Sequence, residues 1–337
     1  MTETHYSSPS RRSPLLAPVL LAILAASVAA AWWATGLHKG QSQRGAEIVA
    51  EIRDRGLGHF WPDASVHWYV IHRGQDRVGW EARSVTPTGG GNYEGLTARV
   101  MIRAAESSTW EQWALSADAR RGVYVAGELH LSSQGTVLGE SNTTIKLADG
   151  TVEANQMIEG NYYQSRAAAP ENYLPEGTSV LAMRLVAEQQ DEANFRMIVN
   201  ELAPSGGQPS FPMVTLDYDG PAGDGPFAGA AGVIFEGLGG SHTVYVAEDG
   251  SIAGSQVKDR RTVAVSRAEL EEAFPKAGAL FEAIATQRGV PLPGPAAPRT
   301  QPQESQPAVE GNPPQPEERT RVRGPARTAP LVAAMDR

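Results

Sequence analysis

From Ser65 onward, apolar and polar residues alternate in short runs separated by turn residues, the two-residue period of half-buried strands. Ser65 to Arg73 alternates around Val66, Trp68, Val70 and His72, and Gly74-Gln75-Asp76 turns the chain into a second run, Arg77 to Val85. Further strands are expected at Thr97 to Ala105, Thr109 to Ala117, Gly122 to Leu131, Thr136 to Lys146 and Thr151 to Ile158. They are set off by turns such as Gly89-Gly90-Gly91-Asn92 and Ala148-Asp149-Gly150. The runs follow one another too closely for the helical crossovers that parallel strands require, so the pattern predicts an antiparallel meander.

Helical periods interrupt this series in three places. Between Gly45 and Gly56 a short amphipathic helix places Ile48, Val49 and Ile52 on one face, ahead of the first strand. From Thr178 to Gln190, the positions Val180, Leu181, Met183, Leu185 and Val186 suit a helix capped by Thr178 or Ser179. Strands then resume at Phe195 to Leu202, Met213 to Tyr218, Gly232 to Gly237, and a hairpin of Thr243 to Ala247 and Ser251 to Gln256 around Glu248-Asp249-Gly250. Ser266-Arg267-Ala268-Glu269 has the spacing of a capping box, Pro275 breaks the helix it opens, and Ala277 to Gln287 forms the second half.

Leu15 to Leu37 differs from all of this: 23 residues without a charge. At ~1.5 Å per residue, a helix of that length crosses a ~30 Å hydrocarbon core with some tilt. Trp32 and Trp33 fall where an interfacial belt would be. Arg11 and Arg12 flank the other end and, by the positive-inside rule, stay in the cytoplasm while the bulk of the chain is exported. The alternative is a cleaved signal peptide, since Ser27-Val28-Ala29 and Ala29-Ala30-Ala31 both offer small residues at a cleavage site. The apolar run continues through both tryptophans past either cut, which favours retention. The arginine pair also has some likeness to a twin-arginine export signal, but Pro14 stands where a bulky apolar residue is usual.

From Gly289 to Arg337 proline takes 11 of 49 positions and aromatics vanish, so the segment cannot bury enough apolar surface to offset its ordering entropy. The expected organisation is therefore a cytoplasmic N-terminus (1–14), a membrane anchor or signal segment (15–37), a short helix and linker (38–64), an exported β domain (65–288) and a Pro-rich disordered tail (289–337). The fold class is mainly β (α+β), a curved antiparallel sheet or half-barrel with one or two packed helices. Anchor and export together place the protein in an inner membrane, with the β domain on the periplasmic side.

Composition narrows the chemistry. The net charge of -9 is scattered, with no cluster of Lys or Arg to release counterions from phosphates, so nucleic acid is not an expected partner. The absence of cysteine excludes disulfides, thiolate nucleophiles and sulfur-ligated zinc. No His-Glu-x-x-His, Gly-x-Ser-x-Gly or Walker loop occurs, so no catalytic residue, cofactor or metal is expected. A hydrolase would need Ser, His and Asp to converge in space. Asp217, Asp219 and Asp224 lie in a Gly-bent acidic stretch that lacks the ligand order and bidentate Glu of an EF-hand, and so reads as a strand-ending turn. His67 and His72, five residues apart on a strand, fall on opposite faces. Gly237-Leu238-Gly239-Gly240 reads as a hairpin turn, and Asn142-Thr143-Thr144 matches a glycosylation sequon by chance. The informative residues are strand aromatics: Trp68, Trp80, Trp110, Trp113, Tyr124, Phe235 and Tyr245 are the candidate ligand-binding residues of a concave sheet, with a packed core as the alternative.

Three segments carry a resemblance: Trp68 to Trp80 with its Gly74-Gln75-Asp76 turn and Val78-Gly79, Tyr173-Leu174-Pro175-Glu176-Gly177, and Val244 to Ile252 with Asp249-Gly250. They resemble bacterial envelope proteins with a lipoprotein-carrier-like curved half-barrel and related uncharacterised periplasmic domains. That resemblance implies a curved sheet of about eleven strands closed by one or two helices around an apolar cavity, with no catalytic residues. A lipid-like ligand or an envelope protein partner is implied, held by a protein that a retained anchor prevents from acting as a free shuttle. A structural scaffold acting through the Pro-rich tail is the other reading.

Overall fold

The computed structural model describes Ser27 and residues 39–102, 107–132, 135–158, 160–198, 211–237 and 240–293. Apart from Ser27, the Leu15 to Leu37 span lies outside them, as does the tail beyond residue 293. No helix among the described residues is long and apolar enough to cross a membrane.

The β runs form one antiparallel sheet of 14 strands. In chain order these are β1 (Ser65–Arg73), β2 (Asp76–Thr88), β3 (Asn92–Met101), β4 (Thr109–Leu115), β5 (Gly122–Ser132), β6 (Gly135–Ala148), β7 (Thr151–Ile158), β8 (Asn161–Ala168), β9 (Glu192–Arg196), β10 (Met213–Pro221), β11 (Ala231–Gly237), β12 (Gly240–Val246), β13 (Ile252–Val257) and β14 (Arg260–Val265). The spatial order runs from β8 back to β1, crosses to β14 and returns to β9. Two meandering arms therefore meet at a β1–β14 seam, where Trp68 to Arg73 pair with Val265 to Arg260. The sheet does not close. β9's outer edge is instead covered by the chain before the third helix, through Leu174 N–H to the Arg196 carbonyl and Arg196 N–H to the Asn172 carbonyl, each at 2.9 Å.

Helices cover both faces. On one, α1 (residues 39–55), α2 (Leu57–Phe60) and α3 (Ser179–Gln189) pack into a core that gathers Tyr69, Trp113, Ile145 and Val152 from one arm and Phe195, Leu216 and Val244 from the other. Residues from both arms meet in one cluster because the sheet curves, and this face is concave. Ile48, Val49 and Ile52 are buried here, so α1 packs into the core by the face its sequence pattern predicts. Arg44 holds Asp191 at 2.5 Å and Gln41 accepts from Asn194 at 2.9 Å, tying α1 to the end of α3 and to β9. On the convex face, α4 (Arg267–Ala273) and α5 (Ala277–Arg288) cover Val70, Trp80, Ala82, Leu96 and Trp110 with Leu270, Phe281 and Ile284. The capping box at Ser266 and Glu269 is present, with Ser266 N–H donating to Glu269 Oε2 at 2.7 Å and Glu269 N–H to Ser266 Oγ at 3.2 Å.

Several boundaries differ from expectation for physical reasons. β3 starts at Asn92, directly after the three glycines, because Asn92 already pairs with Thr88. The strand expected from Phe195 is β9, and it begins at Glu192 to pair with Asp217. β8 and β14 lie between expected elements. β14 follows a tight turn in which Lys258 sits at φ 54 with no glycine to announce it. Packing also continues past Gly289: Val290 is buried on the convex face, and Thr86 Oγ1 donates to the Pro291 carbonyl at 2.8 Å.

Candidate functional site

Cross-strand register places charge on the concave face. One row runs Tyr69, Glu81, Arg99; the next runs His67, Arg83, Thr97, Glu111, Ala126; a third runs Val85, Gly95, Trp113, Tyr124, Ile145. Since side chains alternate between faces, these rows share one face, while Trp80, Ala82 and Trp110 take the other. The inner face of β2 to β4 thus combines apolar residues with four charged ones.

Glu81 is fully buried and each of its oxygens is held by one arginine. Oε1 accepts from Arg83 Nε and Nη2 at 2.6 Å; Oε2 accepts from Arg99 Nε at 2.8 Å and Nη2 at 2.7 Å. Burial alone would raise this carboxyl, but the two guanidiniums outweigh it and hold Glu81 down at about 2. Burial pulls the Arg83 guanidinium down, but Glu81, with a smaller contribution from Tyr69, outweighs it and holds Arg83 above its ordinary value. Arg83 lies 5.1 Å over the Tyr69 ring. Glu111 accepts a hydrogen bond from the Tyr124 hydroxyl; burial raises its carboxyl, with Arg99 and Arg83 opposing and Glu81 adding to the rise.

Although they lie deep in the fold, the Arg83 and Arg99 side chains keep 35% and 39% of their surface exposed. The reason is a cavity of about 470 Å³ above them, within the range of small-molecule sites. Glu81, Arg83, Arg99 and Glu111 line one part of it. Phe60, Trp61, Val85, Trp113, Val180 and Ile252 supply apolar wall, and Arg184 of α3 and the Asp249-Gly250-Ser251 turn stand on its rim.

Trp113 is closely hemmed in. It stacks on Trp61 at 5.4 Å, and glycine is required at two positions against its indole: a Cβ at Gly95 would sit 2.1 Å from Trp113 Cε2, and one at Gly177 2.7 Å from Cδ2. Gly177 also needs φ 89. It ends the buried segment Tyr173-Leu174-Pro175-Glu176, in which the Tyr173 hydroxyl donates to Glu176 Oε2 at 2.8 Å while Oε1 has no partner. Burial pushes Glu176 up to about 7, against the Tyr173 hydrogen bond and two backbone N–H groups and with a smaller push from Glu111.

The seven aromatics expected to share one concave site do not come together. Trp113 lines the cavity, and Tyr124 stands behind it in the same row, engaged with Glu111. Trp80 and Trp110 are 1% and 0% exposed in the convex core, with Arg288 stacked 3.7 Å from the Trp110 ring centre. Trp68 packs edge-on against Phe281 of α5 at 5.4 Å. Phe235 lies against His242 at 4.7 Å on the other arm, and Tyr245 stacks on Phe227 at 4.1 Å beside a separate pocket that includes Asp219, Asp224 and Arg261. The aromatics split because odd and even positions of β1, β2 and β4 face opposite helical layers. Among the described residues no three acidic or histidine side chains form a metal-binding group. His67, Asp249 and Ser251 do meet at the cavity, but Asp249 caps Ser251 N–H at 2.8 Å and no hydrogen bond among the described residues joins His67 to a serine hydroxyl.

No family model and no curated protein matches the sequence. Among solved structures, the chain is similar to a β-barrel-like protein of a domain of unknown function, DUF1849, from Brucella abortus. The identity is 13%, the match covers 60% of this chain and 95% of that one, and the TM-score is 0.38.

Proposed function

We propose that this protein is a non-catalytic, membrane-anchored exported protein whose curved sheet holds an amphipathic, lipid-like molecule in its concave cavity. The observation that carries the reading is the open space of about 470 Å³ walled by Trp61, Trp113 and Ile252 and floored by Arg83 and Arg99. A protein that needed only stability would fill that volume with side chains, because unfilled space in a core forfeits packing energy. The uncharged run from Leu15 to Leu37 and its flanking arginines support tethering of the domain at a membrane surface, so that the ligand is held or received there and not carried away. The Ser251 hydroxyl is engaged by the Asp249 carboxylate and, among the described residues, not by His67, which supports a binding role over a Ser-His-Asp hydrolytic one.

Native mass spectrometry of the full-length chain, purified in a nonionic detergent, tests this reading. The expected result is a copurifying amphipathic molecule that is lost in Val180→Trp, which fills the cavity from α3. An empty wild-type protein that also fails to take up octanol would overturn ligand binding, and Ser251-dependent hydrolysis of p-nitrophenyl octanoate would overturn the non-catalytic assignment.

A further inference from the structure

Each cavity arginine spends the same edge on Glu81. Arg83 and Arg99 both use Nε and Nη2, and a guanidinium is planar with five N–H donors, so the Nη1 side of each remains. Among the described residues neither Nη1 donates a hydrogen bond. Both side chains line the cavity with about a third of their surface exposed to it. Glu81 thus orients two forks and leaves their outer donors to the space above. A planar fork with free donors matches carboxylate or phosphate oxygens better than any neutral group.

Resting on the ligand-binding reading above, we infer that Arg83 and Arg99 form an oxyanion site for the head group of an amphipathic ligand, a carboxylate or a phosphate, and that its occupation is coupled to proton uptake by Glu111.

The coupling follows from charge balance. Glu81 neutralises one arginine, and Glu111, one strand over in the Arg83-Thr97 row, balances the other. A ligand anion replaces that balance and brings a like charge toward a buried carboxyl. The protonated form of Glu111 is then favoured. The other charged groups around the site are Tyr69 and His67 on β1, Tyr124 on β5, Glu176 before α3, Arg184 on α3, His242 on β12, and Asp63 and Asp249 at the rim. His67, held low by burial and by Arg83, is the competing proton acceptor, and a Glu111 variant distinguishes the two. Burial already raises Glu111, the direction that favours its protonated form, with Arg99 and Arg83 opposing.

The test is isothermal titration of the full-length chain with octanoate, octyl phosphate and octanol, in pairs of buffers differing in ionisation enthalpy, from pH 5.5 to 8. Octanoate or octyl phosphate, whichever head fits, should bind at least ~10-fold tighter than octanol, more tightly as pH falls, and with net proton uptake. Arg99→Lys keeps the charge but loses the fork, and should lose that preference while binding octanol as before, which also shows that its cavity is intact. Glu111→Gln should keep the anion preference and abolish the uptake; Glu176→Gln should keep both. Octanol binding as well as either anion would overturn the oxyanion site while leaving the ligand-binding reading in place. Anion preference with no proton uptake, or with uptake that survives Glu111→Gln, would overturn the coupling. Failure of all three probes would overturn the ligand-binding reading itself.

Discussion

The two faces of β1 to β4 are built from alternate residues of the same strands, yet they do opposite things with them. The convex face is dry: Trp80, Leu96, Ala98 and Trp110 meet Phe281 and Ile284, Trp110 Nε1 donates to the Glu128 carbonyl at 3.2 Å, and the buried Ser84 Oγ is left without a partner. Its apolar residues add to stability through area removed from water. The concave face interrupts an equally apolar cluster with Glu81, Arg83, Arg99 and Glu111 and leaves a cavity over them. Replacing buried ion groups by apolar side chains of similar volume is often neutral or stabilising, so the concave face is expected to hold less stability than the convex one.

The largest expected effects contrast the two faces. Glu81→Ala leaves two deep guanidiniums without their shared counter-ion and should cost about 3–5 kcal/mol in denaturant unfolding, together with loss of any bound anion. Phe281→Ala should cost about 3–5 kcal/mol from cavity formation on the convex side, but the bound molecule should remain in native mass spectra. Loss of ligand in both variants, or in neither, would dissolve the distinction between the faces.

A pH dependence of opposite signs comes next. Glu81, held down to about 2, contributes stability that is present above its ordinary range and disappears as pH falls toward 2. Glu176, raised to about 7, works the other way: between its unfolded range and 7 the native state binds the extra proton, so stability declines as pH rises through that window, on the order of 3 kcal/mol in total. Unfolding free energies from pH 4 to 8 should fall for the wild type and be flatter for Glu176→Gln. An unchanged slope in that variant would move the titration elsewhere.

Gly95→Ala should have a smaller cost, about 1–3 kcal/mol of overpacking as its Cβ drives Trp113 from its place against Trp61. Thermal unfolding would measure the cost, and ligand retention would show whether the Trp113 wall matters to binding.

How much of this was legible in the sequence depended on the signal each element carried. β1, β4 and β7 begin where their alternation begins, and β1 and β7 match at both ends, because glycine and Asp turns frame them. β14 was not legible because its turn uses Lys258 where glycine is expected, and β8 because a largely exposed edge strand of Asn, Gln and Arg has no apolar phase to reveal it. The strand aromatics read as if they shared one face, since a strand covered on both sides hides its phase. The charged floor was overlooked for the same reason: beside Trp80 and Ala82, Glu81 and Arg83 look like the solvent phase. The available clue was that Val85, Tyr93 and Trp113, apolar and in step with Glu81 and Arg83, could not also face water.

The central claim is that the charged floor serves a ligand at the expense of stability, and the triple replacement Glu81→Met, Arg83→Leu, Arg99→Met tests it most directly by denaturant unfolding. An apolar floor of similar volume should leave the unfolding midpoint equal to or above that of the wild type. A midpoint lowered as far as that of Glu81→Ala alone would show that the ions hold the fold together and would contradict the account.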